Sequence, residues 1–217
     1  TEPGVARTVV AAAAHAGAQV VVSSSMPARD VEWFGGVVGG ALGGRPVLAN
    51  RGANGIDGVL STAVGVALAA GAAVAAGAAV AAGDDGPPTV ALLGDVALLH
   101  DTNALLGLAA RGADLTVVVV DNDGGGIFSF LPPATALPAE RFEQLFGTPH
   151  GVDLAALAAA HGLEVVEPAT AAEVHDAIAA SIAAGGTRVV LVRTDRAANV
   201  EVHDELHAAV AAALAAS

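Results

Sequence analysis

Apolar residues gather in six short runs at 19–23, 46–49, 89–93, 115–120, 164–166 and 188–193, several of them dominated by valine. Runs of this length, closed by Ser, Gly, Asp or Asn, read as strands buried on both faces. Longer stretches between them, at 5–16, from about Gly58 onward, at 154–161, 171–184 and 200–216, carry helical spacing. Six strands alternating with helices predict an α/β fold, a doubly wound parallel sheet with helices on both faces and a single domain over residues 1–217. In such a sheet ligands bind beyond the carboxyl ends of the strands. The residues following each strand are therefore where chemistry is to be sought.

Two of those ends stand out. The run at 89–93 leads into Gly94-Asp95 and a helix, and the run at 115–120 leads into Asp121-Asn122-Asp123 and three glycines. Both ends lie on one sheet edge, so Asp95 and Asn122 share a crevice. Asp95 offers an anionic oxygen, Asn122 an amide oxygen and Gly124 a carbonyl, a donor set for Mg²⁺ or Mn²⁺, with phosphate oxygens completing the octahedron. Gly94 permits close approach, and the N–H groups of Val96 and Ala97 open the next helix, where an anion is favoured. The chain has no lysine. A diphosphate here would be neutralised by metal, backbone N–H groups or arginine.

Composition narrows the classes. A net charge of −13 without any basic run argues against a nucleic-acid partner. The absence of cysteine removes disulfides and thiolate metal sites. The stretch after Asp57 carries no charge until Asp84, yet it is mostly Ala and Gly with acidic flanks and no basic anchors. It reads as a helix buried against the sheet, with the AAGAAV echo after Gly71 as a low-complexity extension of that helix or of the loop after it, and not as a membrane span. No signal-peptide layout opens the chain, and a cytoplasmic location is the default.

The remaining loops add candidates. Ser23, Ser24 and Ser25 follow the first strand, as anion contacts or as helix caps, with Arg29 one turn on. The glycine-rich loop 50–58 contains Arg51, whose fork suits a carboxylate, and Asp57, read as the cap of the long helix. The triple glycine at 124–126 is either a flexible turn or backbone laid against a ligand. Trp33 and Phe34 read as core packing, 132–138 as irregular, and 142–146 as a short helix. His203 and His207 mimic a zinc pair, but the order departs from HExxH and no third ligand is evident.

Five blocks, SSSMPARDVEWF, NRGANGIDGVLSTAVG, LLGDVALLHDTNALL, DNDGGGIFSFLP and FEQLFGTPHG, resemble in order the SEPHCHD synthase (MenD) family of menaquinone biosynthesis, whose Gly-Asp…Asn motif is that of thiamine diphosphate enzymes. The resemblance implies thiamine diphosphate and Mg²⁺ as cofactors, with Ser25, Asn54, Gly55, Ile56, Gly94, Asp95, Val96, Ala97, Asn122, Gly124, Gly125 and Ile127 around thiamine diphosphate. Asp95, Asn122 and Gly124 would hold the metal, and Ile56 would wedge the cofactor into its bent form. Ser25, Arg29, Arg51, Phe128 and Leu131 would meet substrate. The implied reaction decarboxylates 2-oxoglutarate and adds the succinyl unit to isochorismate. No block resembles the pyrimidine-binding domain that carries the activating glutamate, and Glu32, Glu140 and Glu143 sit in no matching motif. The expectation is therefore a C-terminal diphosphate-binding domain of a longer, homo-oligomeric transferase, inactive alone and completed by a neighbouring subunit's pyrimidine-binding domain. The rival readings are another thiamine diphosphate enzyme, such as an acetolactate synthase or 2-oxoacid decarboxylase, and a non-catalytic nucleotide-binding module.

Overall fold

The computed structural model describes residues 1–36, 45–50, 55–75 and 86–216. Six strands form one sheet: β1 (Gln19–Val22), β2 (Val47–Ala49), β3 (Thr89–Gly94), β4 (Leu115–Asp121), β5 (Glu164–Val166) and β6 (Thr187–Arg193). Their order is β2-β1-β3-β4-β6-β5, and every pairing is parallel. The doubly wound α/β fold expected from the alternation is what the chain adopts.

The strands alternate side chains between two apolar layers. Ala91, Leu93, Val117 and Val119 face α3 (Val59–Ala75), α4 (Asp95–His100) and α5 (Leu154–Ala160). Val90, Leu92, Val118 and Val120 face α1 (Glu2–Ala16), α2 (Met26–Phe34) and α6 (Ala171–Ala184). Central strands β3 and β4 are buried on both sides, which is why they read as continuous runs. Each fully buried Leu or Val in these layers stabilises by about 1.5–3 kcal/mol.

Helix ends follow their caps. Thr1 accepts from the N–H of Gly4 and Pro3 fits the first turn, so α1 starts three residues before the apolar spacing does, and it stops at Gly17 with φ 64°. Asp195 caps the last helix, α7 (Arg196–Ala215), by accepting from the N–H of Ala198, which moves its start ahead of 200. In α3 the buried positions Val59, Leu60, Ala63, Val64 and Ala67 make one stripe, while Leu68 is exposed. Among the described residues no helix is long and apolar enough to cross a membrane. The continuation of the AAGAAV echo beyond Ala75 lies outside the described residues.

At the start of α3 the Asp57 carboxylate lies 2.8 Å from His100 Nδ1, and Asp101 Oδ2, from the end of α4, accepts the Ser61 N–H at 2.6 Å. Two local expectations need correction. Trp33 is not core, being 48% exposed with its edge on the His207 ring, whereas Phe34 packs on His203. The region 133–147 is also more regular than its prolines suggest, with single α turns at Pro133–Ala136 and Ala139–Phe142 and a π turn at Glu143–Gly147.

Candidate diphosphate and metal site

The register sets the site. Gly94 of β3 lies opposite Val120 of β4, so the residues that follow, Asp95 and Asp121-Asn122, emerge together at the carboxyl edge. Asp95 is 2% exposed. Its Oδ2 accepts from the N–H of Asn122 at 3.1 Å and of Gly124 at 2.9 Å, and its Oδ1 accepts from Val96 at 2.6 Å. Burial raises the Asp95 pKa, and the N–H groups of Gly124 and Val96 and the His150 ring pull it back. A buried carboxylate in this state favours a cation, which would relieve the cost of desolvation.

The three glycines are packed, not loose. A Cβ on Gly124 would overlap the carbonyl oxygen of Gly147, one on Gly125 that of Phe146, and one on Gly126 the Asn122 amide at 2.5 Å. Gly124 also has φ 135°, which a side chain rarely tolerates. The Gly125 N–H donates to Gly147 O at 2.8 Å, so the 124–126 backbone is seated directly on the π turn. Gly124 offers Asp95 its N–H, while its carbonyl accepts from Gly126 at 2.9 Å. Close packing against protein backbone accounts for the small side chains here.

The π turn delivers His150. Its Nε2 lies 3.2 Å from Asp95 Oδ2 and 3.9 Å from Asp121 Oδ1. Its Nδ1 accepts the Val152 N–H at 3.0 Å, so in the neutral ring Nε2 carries the proton and donates to Asp95. Asp123 holds the turn by accepting from the N–H groups of His150 and Gly151 at 2.9 and 2.8 Å, contacts that lower its pKa. Ligand atoms of Asp95, Asp121 and His150 lie within 4.8 Å of one another. Sequence reasoning gave His150 no role; the only available signal was its place in the FEQLFGTPHG block. Among the described residues, three non-glycine residues have positive φ, Ser25, Asp123 and Thr148, and all lie in carboxyl-edge loops. Each such conformation costs about 1–3 kcal/mol, a pattern common at functional sites.

Asn122 completes the arrangement. Its Nδ2 donates to Glu2 Oε1 at 2.9 Å, and its Oδ1 is buried with no hydrogen-bond partner among the described residues. An orphaned amide oxygen whose own backbone N–H bonds Asp95 suits a hard cation. The residues present therefore fit Mg²⁺. A cation on His150 is the poorer fit, because ligation through Nε2 would require the proton to move to Nδ1 and break the Val152 contact.

The other predicted residues are distributed around this centre. Ser25 leads into α2 with φ 77° and makes no side-chain capping bond, and Arg29 Nη1 folds back to donate to its carbonyl at 2.8 Å. The loop holding Gly55 meets the serine loop, where a Cβ on Gly55 would come within 2.8 Å of Ser24 Cβ, and Ser24 Oγ donates to Asn50 O at 2.7 Å. Ile56 packs partly against the first apolar layer, and Ala97 is buried within it. Val96 directs its N–H to Asp95 and not outward. Ile127 and Phe128 lie on a 3₁₀ turn, Gly126–Phe130, with Phe128 edge-on to Phe146, and Leu131 is 43% exposed. Arg51 and Asn54 lie outside the described residues. His203 is buried, its Nε2 2.7 Å from Asp30 and its Nδ1 2.8 Å from Asn199 O, so both nitrogens are engaged away from His207. Beyond Asn122 and Asp123, towards β6, opens a cleft of about 710 Å³ bordered by Arg193, Arg196 and Glu201. It does not include Ser25, Gly55 or Phe128, so it is separate from the serine-loop side of Asp95.

A parallel sheet carrying a Gly-Asp end beside an Asn end defines a class, and the comparisons agree: the profile described as "Thiamine pyrophosphate enzyme, C-terminal TPP binding domain" matches residues 48–192. The chain belongs to that family. Its curated relatives are more particular. It is 48% identical over 99% of its length to the 2-succinyl-5-enolpyruvyl-6-hydroxy-3-cyclohexene-1-carboxylate synthase of Myxococcus xanthus, covering 33% of it, and 45% identical over 92% of its length to the synthase of that name from Chloroflexus aurantiacus, covering 30%. The chain thus spans about a third of the length of these relatives. Among solved structures, benzoylformate decarboxylase from Polynucleobacter necessarius superposes with a TM-score of 0.61 at 20% identity, over 88% of this chain and 33% of that one. At that identity the likeness is one of fold.

Proposed function

We propose that this chain is the diphosphate-binding domain of a SEPHCHD synthase, and that Asp95, Asn122 and Gly124 would hold the Mg²⁺ (or Mn²⁺) that accompanies thiamine diphosphate. The buried, unpartnered Oδ1 of Asn122 beside Asp95 is the observation that carries it. Thiamine diphosphate, when bound, supplies the carbon that accepts carbanion chemistry; the protein supplies orientation and electrostatics. Ser25, Gly55 and Ile56, on the loops flanking Asp95, are assigned to the cofactor. Arg29 and Arg51 are assigned to the carboxylates of 2-oxoglutarate and isochorismate, with Phe128 and Leu131 as apolar walls. The activating glutamate is assigned to a pyrimidine-binding domain of a neighbouring subunit, so that this region alone is inactive. Similarity to two synthases of that name over nearly the whole chain supports the particular reaction.

The test is calorimetric titration with thiamine diphosphate, with Mg²⁺ and with chelator, on the full-length protein and on Asp95→Ala. Binding should require metal and weaken by more than about 100-fold in the variant, beyond what loss of an outer-shell partner brings. Binding indifferent to chelator and to Asp95 would replace this reading with a plain nucleotide-type module. Turnover of 2-oxoglutarate with isochorismate separates a SEPHCHD synthase from other thiamine diphosphate enzymes.

A further inference from the structure

Glu2 opens α1, where an acidic residue usually stays in solvent and interacts with the helix dipole. This one is 4% exposed. Its carboxylate turns away from its own helix, and Oε1 accepts from Asn122 Nδ2 at 2.9 Å and from Thr194 Oγ1 at 3.0 Å. Its backbone N–H reaches Asn199 Oδ1 at 3.4 Å. Three segments remote in sequence thus converge on one buried residue, the ends of β4 and β6 on its carboxylate and the first turns of α7 on its backbone N–H. Neither the fold nor the composition requires a carboxylate in that place.

We infer that Glu2 is a positioning residue for the cation site, fixing the Asn122 amide so that Oδ1 and not Nδ2 is the atom offered to the metal. This rests on the diphosphate reading above. The two ends of an amide differ little in shape, but a carboxylate is only an acceptor, so the NH₂ end must face it. The reversed amide would set oxygen against oxygen and point two donor hydrogens at the cation. Gly126 supports the assignment independently: its missing side chain leaves space that the Asn122 amide fills, so the amide is held by packing in the plane that Glu2 selects. Partners of this kind, one bond removed from a metal, typically change affinity 10–100-fold when lost.

The experiment measures Mn²⁺ bound to the full-length protein with thiamine diphosphate, from the electron paramagnetic resonance signal of free Mn²⁺. Five proteins are compared: the wild type, Glu2→Met, Glu2→Gln, the double variant Glu2→Gln/Asn122→Asp, and Asp95→Ala. Glu2→Met removes the acceptor at similar volume and should weaken Mn²⁺ binding about tenfold or more. The Gln amide can accept from Asn122 Nδ2 or donate to Oδ1, so it no longer selects one orientation, and Glu2→Gln should weaken binding less than Glu2→Met does. In the double variant the Gln amide donates to one oxygen of the new carboxylate and leaves the other for the cation, so affinity should recover to within about threefold of wild type. Wild-type affinity in Glu2→Met overturns the inference, and so does a loss in Glu2→Gln that the double variant does not reverse, which would mark Glu2 as packing only. Asp95→Ala distinguishes the two levels. Mn²⁺ binding abolished there but unchanged by the Glu2 variants would leave the diphosphate site standing and remove Glu2 alone, whereas binding insensitive to Asp95 would remove both.

Discussion

Among the described residues two close aspartate–histidine pairs are buried, and their surroundings differ. Asp95 and His150 meet at 3.2 Å on the carboxyl edge of the sheet, and Asp30 and His203 meet at 2.7 Å between α2 and α7. Burial raises the pKa of both aspartates. Around Asp30 nothing is left open: His203 Nδ1 is engaged by Asn199 O, and the ring is enclosed by Phe34, Phe130 and His207, with centroids 4.9–6.2 Å away. Around Asp95 the arrangement is incomplete, since the neighbouring Asn122 Oδ1 has no partner among the described residues, two flanking loops carry strained residues, and a cleft bordered by Asn122 opens towards β6. A buried charged pair therefore does not mark a site. What marks it is unsatisfied capacity at an edge that a ligand can reach.

The largest expected effect breaks the sealed pair. His203→Ala leaves a buried carboxyl group unpaired and a cavity among aromatic rings, and should cost about 3–5 kcal/mol. His150→Ala removes the same side chain from an edge position and should cost well under half of that. Denaturant titration of both variants checks the order; a loss at position 150 equal to that at 203 would mean that the edge pair is also structural.

Next in size is the glycine loop that seats the open pair. Gly124→Ala drives a methyl group into the Gly147 carbonyl at φ 135° and should destabilise by about 1–3 kcal/mol while weakening metal-dependent cofactor binding. Gly65→Ala, in α3 with open space around it, should instead gain up to about 1 kcal/mol. The opposite signs are easily read from melting temperatures. A neutral Gly124→Ala would restore the flexible-turn reading.

The contrast also shows what was legible in the chain. Valine-rich runs closed by polar residues announce the sheet because β3 and β4 are buried on both faces, and with them the Asp95 and Asn122 ends. Capping is local as well: Thr170 forms a capping box with Glu173 at the start of α6. Contacts made across the fold were not readable. Asp101 reaching Ser61 at the start of α3, Glu2 reaching Asn122, and His150 reaching Asp95 all join segments distant in sequence, with no periodicity to signal them. Three consecutive glycines look alike whether they are loose or crushed against another backbone, so only tertiary structure distinguishes the cases. Trp33 misled because aromatic character implies burial, while its ring lies on the histidine of a helix that is itself largely exposed.

The smallest effect is a slope, and it tests how the sealed pair is charged. Asn199 O can only accept, so His203 Nδ1 is a donor, and one proton lies between Nε2 and Asp30 Oδ1. Burial outweighs the lowering influence of His203 and Arg29 and raises Asp30 above its ordinary 3.8, and the Glu2 carboxylate lies near enough to interact with it. A carboxyl group whose folded pKa is raised binds protons more readily folded than unfolded. Its contribution to stability is full below 3.8 and declines as pH rises through the folded value. Asp30→Asn keeps a donor facing Nε2 and does not titrate there. The stability of the wild type relative to Asp30→Asn should therefore fall as pH rises across that window and then level off, measured by urea unfolding at a series of pH values. A difference growing in the opposite direction would show that the imidazolium dominates, making Asp30–His203 an ion pair whose stabilisation appears only once the carboxylate is charged.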